Sequence, residues 1–149
     1  FLSNEGHEIY GLETSRTALK ITKKKIKNKK AKLNLKILSS SKKLQFKDNF
    51  FDNIICLSVF SQLKNRRNAM HLLNEFNRIL KKNGILIIDI NGPKSDHFYK
   101  KKDFFSLKNK KEFLDILKKN NFKIINHGEV YKSYLNIQDH EFLAIAKKK

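Results

Sequence analysis

The chain has one cysteine, one proline, one methionine and no tryptophan in 149 residues. A single cysteine excludes an internal disulfide framework. Cys56 lies in the apolar run 54–59, where it reads as a small buried hydrophobe, and a reducing, cytosolic compartment is expected. No apolar run approaches the roughly 20 residues that cross a bilayer, so a membrane-spanning helix is excluded. The five glycines, Gly6, Gly11, Gly84, Gly92 and Gly128, are scattered, so the Gly-x-Gly-x-x-Gly turn that cradles a cofactor's anionic end is absent. The five histidines show no metal-ligand spacing.

Charge is what the chain has in excess, with a formal net of +19. Clustered lysines attract phosphate backbones, which makes a nucleic-acid partner conceivable. Only Arg16, Arg66, Arg67 and Arg78 supply the planar fork on which base and phosphate readout leans, however. Lysine is abundant together with asparagine, isoleucine and phenylalanine, as an AT-rich coding sequence would produce. Solvated helix faces are therefore the favoured reading, and any basic surface would lie at 23–32 and 100–111.

Strand-like and helix-like segments alternate along the chain, the pattern of a mostly parallel sheet with covering helices. Strands are expected at 8–12, 33–38, 53–59, 85–90, 122–126 and 141–146. The run 53–59 is apolar enough for a central strand covered on both faces. Ala18, Leu19, Thr22 and Ile26 share one helical face; Ala69, Leu72, Leu73, Phe76, Ile79 and Leu80 share another, with a stop at Asn83-Gly84. Asn109 with Glu112 resembles a capping box opening a third helix. No linker divides the 149 residues, which suit a single domain, with 147–149 as a solvated tail.

One junction carries chemistry. In His7-Glu8-Ile9-Tyr10-Gly11-Leu12-Glu13-Thr14-Ser15 an apolar run ends in a carboxylate, followed at once by a helix-starting serine. This is how a strand delivers an acid to the mouth of an α/β sheet, where such an acid holds a ribose. In nucleotide-binding domains the acid stands about twenty residues after the glycine-rich turn, and here twelve residues precede it. With Phe1 rather than Met as first residue, the sequence is expected to be part of a longer one that carries the first strand and its turn.

Four segments, in order, resemble the class I S-adenosylmethionine-dependent methyltransferases, in particular the small-molecule, type 11 group. Ile9-Tyr10-Gly11-Leu12-Glu13-Thr14-Ser15 resembles their second strand with its ribose-binding acid. Residues 44–55 resemble the segment in which a Leu-Pro-Phe turn leads to Phe-Asp and the fourth strand, with Gln45 in the proline's place. Residues 75–86 are similar to the helix, lysine-proline-glycine-glycine turn and fifth strand, with Lys82 and Asn83 replacing the proline and first glycine. Residues 104–125 resemble the late helix and sixth strand.

The resemblance implies a Rossmann-like three-layer α/β/α fold whose sheet is mostly parallel, with an antiparallel last strand inserted between the two before it. Its first strand and glycine-rich loop are missing here, which should leave edges of 8–12 and 53–59 unpaired. S-adenosylmethionine is the implied cofactor, with Glu13 on the ribose, Ser40 and Ser41 at the adenine and Ser58 beside the methionine part. A small-molecule or lipid-like acceptor would meet loops at the carboxyl ends of the strands, where Asn91, His97 and Tyr99 are the candidate contacts. No fixed catalytic residue is implied, because the cofactor brings the electrophile and the protein orients the acceptor. The alternative is a non-catalytic methyltransferase-like or basic nucleic-acid-binding module.

Overall fold

The computed structural model describes residues 2–25, 33–37, 43–63, 65–95, 107–134 and 137–149. They form two compact units, 1–41 and 42–149. In the first, β1 (Ile9–Glu13) lies parallel to β2 (Leu33–Ile37), in register from Ile9 opposite Leu33 to Glu13 opposite Ile37. Between them runs α1 (Arg16–Lys25). It starts where Ser15 Oγ accepts the Ala18 amide at 3.2 Å, a serine N-cap, and its closing lysines 23–25 face the negative end of the helix dipole. Ala18 and Leu19 are half-buried as the helical spacing predicts, while Ile26 falls outside the described residues.

The second unit holds β3 (Phe51–Cys56), α2 (Arg66–Ile79), β4 (Leu80–Asn91), α3 (Lys110–Lys119), β5 (Phe122–Tyr134) and β6 (Ile137–Lys148). Its sheet order is β3-β4-β6-β5, with β3 parallel to β4 and β6 antiparallel to both neighbours. The last strand is thus inserted where the sequence led us to expect it. Asn65 caps α2 by accepting the Asn68 amide at 3.0 Å, and Asn109 caps α3 by accepting that of Glu112 at 2.9 Å. The return arm of the expected capping box is shifted by one residue: the Glu112 carboxylate accepts from the Lys108 amide. Ala69, Leu73, Phe76 and Ile79 of α2 and Phe113, Ile116 and Leu117 of α3 are buried, as are Leu86, Ile88 and Ile90 of β4 and Phe142, Ala144 and Ala146 of β6. These faces make the core.

Among the described residues β1 pairs only with β2 and β3 only with β4, so each keeps an edge without a ladder partner. Nor is β3 covered on both faces: Ile55 is 54% exposed. Three boundaries also move. Helix α2 stops at Ile79, not at Asn83-Gly84, because the carbonyls of Arg78 and Ile79 are taken by the amides of Asn49 (3.0 Å) and Phe50 (2.7 Å). Asn83 still takes the left-handed conformation (φ 64°), inside an irregularity of β4. Gly84 is needed for close approach, since a Cβ there would lie 2.8 Å from the Asp52 carbonyl oxygen. The hairpin β5–β6 outruns 122–126 and 141–146 because a register shift between Ile124 and Asn126 changes the face alternation without ending the strand. Lys147 and Lys148 belong to β6 and are no solvated tail: the Lys148 ammonium donates to the Leu80 carbonyl at 2.8 Å and to Asn49 Oδ1 at 2.9 Å.

The start of β3 is fastened by one polar cluster. The Arg78 guanidinium donates to both oxygens of Glu75 (2.8 and 2.7 Å), to the carbonyls of Leu44 (2.9 Å) and Phe46 (2.8 Å) and to Asp48 Oδ1 (2.8 Å). Glu75 Oε2 also accepts the Leu44 amide at 2.7 Å. The arginine's hydrogen bonds hold the Glu75 carboxyl below its ordinary value of 4.5, and the carboxylates in turn raise that of Arg78. Folding therefore gains from the ionised Glu75 above about pH 4.5, and the gain is lost as pH falls through the lower folded value. We expect Arg78→Leu to cost about 3 kcal/mol at neutral pH, since it strands largely buried acceptors. Glu75→Gln should flatten the acid limb of stability; urea unfolding at neutral pH and near pH 4 measures both, and an unchanged limb would contradict the clasp.

Candidate cofactor and acceptor site

Glu13 ends β1 in the first unit, half-buried. Its Oε1 accepts the amides of Thr14 (2.7 Å) and Ser15 (2.9 Å), with the Thr14 hydroxyl at 3.4 Å. These backbone amides, Ser15 first and then Thr14, lower the carboxyl below its ordinary value and keep it ionised. The side chain is thus fixed through one oxygen, and Oε2 makes no hydrogen bond among the described residues. A charged, acceptor-only group with a fixed orientation fits a pair of vicinal hydroxyls, and Glu13 in this form suits a ribose.

In the second unit the carboxyl ends of β3 and β4 lie side by side. β3 ends at Cys56 rather than Val59, because Ser58 turns into the left-handed region (φ 57°) while its amide donates to Asp89 Oδ1 at 2.6 Å. Asp89 is 5% exposed, within the apolar run of β4. Ser58 is exposed, and its neighbours Leu57 and Val59 are 47% and 41% exposed. Burial, followed by the charge of Asp89, pushes the Cys56 thiol up to about 12.

Two residues beyond Asp89, Asn91 closes β4, and its amide nitrogen reaches Ser95 Oγ at 3.5 Å. The fully buried Ser95 hydroxyl donates to Asp139 Oδ1 at 2.9 Å. The Gly92 amide donates to the His140 carbonyl at 2.6 Å, and the Lys94 amide to His140 Nδ1 at 3.4 Å. His140 Nε2 meets Glu129 Oε2 at 3.2 Å, while Glu129 Oε1 pairs with the Lys110 ammonium at 2.8 Å. Lys110 first, then His140, bring the Glu129 carboxyl down to about 2.

Ser58 and Asn91 therefore share one end of one sheet, and Glu13 ends a strand of the other unit. Ser40, Ser41, His97 and Tyr99 lie outside the described residues. Sequence reasoning missed Asp89 and His140. An acid inside Ile87-Ile88-Asp89-Ile90 was a usable signal, because a buried carboxylate needs a donor. His140, flanked by Asp139 and Glu141, reads as the outer end of a strand, yet it is 3% exposed in the interior of β6. Among the described residues, no group of three or more His, Cys, Asp or Glu is placed to hold a metal ion, and no helix is long and apolar enough to cross a membrane.

Residues 1–88 match the model of a methyltransferase domain. The chain belongs to that family, the class I S-adenosylmethionine-dependent methyltransferases. No curated protein matches it in sequence. Among solved structures it is similar to an S-adenosylmethionine-dependent methyltransferase from Methanosarcina mazei, at 15% identity and a TM-score of 0.79 over 99% of this chain and 84% of that one. It is also similar to the [4+2]-cyclase SpnF, at 12% identity and a TM-score of 0.76 over 99% of this chain and 68% of that one. A third similar structure is the YcgJ protein of Bacillus subtilis, at 11% identity and a TM-score of 0.68 over 95% of this chain and 82% of that one. At these identities the likeness establishes the fold, the three-layer Rossmann-like α/β architecture.

Cys56 reports on the β3 end. With its thiol raised from 9.0 to about 12, the thiolate fraction at pH 8 falls roughly a thousandfold, so native protein should resist iodoacetamide while urea-unfolded protein reacts. Equal rates in the two states would show that the end of β3 is not closed by Asp89 and the turn at Ser58.

Proposed function

We propose that this chain functions as one S-adenosylmethionine-dependent methyltransferase domain, 1–149, acting on a small-molecule or lipid-like acceptor. The observation that carries the reading is the Glu13 carboxylate, ionised and fixed through Oε1 at a strand end. Family membership agrees with it. When bound, S-adenosylmethionine supplies a methyl group made electrophilic by its sulfonium. Glu13 would accept the ribose hydroxyls, Ser40 and Ser41 would meet the adenine, and Ser58 would border the methionine part.

Asn91, His97 and Tyr99 would face the acceptor, whose orientation is the main contribution of the protein. The exposed Leu57 and Val59 beside Ser58 favour an acceptor with apolar surface. The rival, a non-catalytic or nucleic-acid-binding module, draws on the charge of +19, but its scarcity of arginine argues against base readout. A reducing cytosol suits the buried, unpaired Cys56.

Because these 149 residues contain no glycine-rich turn, we expect them alone to bind S-adenosylmethionine feebly in calorimetric titration. Micromolar affinity would mean that the site is misplaced. In a version extended at its N-terminus by such a strand and turn, Glu13→Ala should weaken cofactor binding about ten- to a hundredfold, the range for losing hydrogen bonds to a charged group. Ser40→Ala should cost less, since a neutral hydroxyl makes the weaker contact. Equal affinity of folded wild type and Glu13→Ala would refute the ribose assignment.

A further inference from the structure

The turn after β4 is built around a histidine that no step of methyl transfer requires. His140 is 3% exposed, with Tyr131 stacked on its ring at 4.5 Å and 8°, and Phe142 against it edge-on at 4.9 Å and 80°. With Nδ1 accepting the Lys94 amide, Nε2 is the ring nitrogen left to carry the hydrogen and to donate it in a hydrogen bond to Glu129. Lys110 in turn fixes Glu129, and the Tyr131 hydroxyl donates to the same carboxylate at 3.2 Å. Residue 92 must be glycine for this arrangement, as a Cβ there would collide with the imidazole. An ordinary core histidine would be satisfied by contacts within its own sheet. This one spends its acceptor on the backbone of a turn, three residues beyond Asn91.

We propose that His140, oriented by Glu129, is a positioning residue for the start of the acceptor loop: its Nδ1 fixes the backbone at Lys94 and so sets the course of the chain from Asn91 to Ser95. The name acceptor loop rests on the function proposed above; the positioning rests on the contacts alone. Neither His140 nor Glu129 is a catalytic residue in this reading. His140 acts through the turn, as a second layer that keeps substrate-facing groups in place.

The test is site-resolved hydrogen exchange on residues 1–149, which needs neither cofactor nor acceptor, so failure of the methyltransferase reading would leave its result intact. His140→Phe keeps an aromatic ring for Tyr131 and Phe142 but offers no acceptor. It should lower protection of the Lys94 amide at least about tenfold while the amides of Gly92, bonded to the His140 carbonyl, and Ile88, in β4, stay as in wild type. His140→Asn, whose Oδ1 can stand where Nδ1 accepts, should restore most of the Lys94 protection. Glu129→Gln, which leaves the ring in place, should reduce it in part and decides the matter if His140→Phe does not fold. Unchanged Lys94 protection in both His140→Phe and Glu129→Gln would overturn the proposal, as would an equal loss at Ile88, which would make His140 a packing residue only.

Discussion

The larger unit depends on one guanidinium. Arg78, at the end of α2, donates to a carboxylate on its own helix and to two carbonyls and a carboxylate in 44–48. That segment has no ladder to satisfy its backbone, and a buried carbonyl without a donor would be costly. Arg78 and Glu75 together play the part of a missing strand, and the Arg78 and Ile79 carbonyls then receive the amides of Asn49 and Phe50. The chain is thereby delivered to Phe51, opposite Leu80, and the parallel pairing of β3 with β4 can begin. Apolar burial supplies most of the stabilisation, but it is indifferent to direction; this clasp selects the register.

The other end of β3 is fixed by the same means. Asp89 takes the Ser58 amide and holds a left-handed turn that a serine would otherwise avoid. Ser95, Asp139 and His140 then hold the turn after β4. Among the described residues, the turns directly after β3 and β4 are tied down by polar groups on the strands beneath them.

Most of the architecture was legible from alternation: among the described residues, β1 to β6 stand where apolar runs stood, and α1 to α3 where the period was helical. The place of Glu13 was legible too, since β1 ends at this acid two residues before the capping Ser15, while its ribose role stays a proposal. The antiparallel place of β6 came from family resemblance, because no local pattern in 141–146 says which strands will flank it. What escaped were contacts between side chains and distant backbone. Glu75 and Arg78, three apart on a helix, look like a solvated ion pair, and their partners at Leu44 and Phe46 leave no trace in residue type. The length of the β5–β6 hairpin escaped because the shift at Asn126 breaks the two-residue period, and with it went the burial of His140. Ser40 and Ser41 remain assignments by resemblance, and His97 and Tyr99 assignments by their place in the sequence after a strand and by their chemistry.

The central claim is that Glu13 reads a ribose, and a ligand cycle tests it most directly. Dissociation constants of S-adenosylhomocysteine and its 2′,3′-dideoxy analogue, measured by ligand-observed NMR at millimolar concentration, would be compared for wild type and Glu13→Ala. The account predicts that wild type prefers the ribose ligand by about tenfold or more, as hydrogen bonds to a charged acceptor provide, and that Glu13→Ala loses this preference. The same preference in both folded proteins would contradict it.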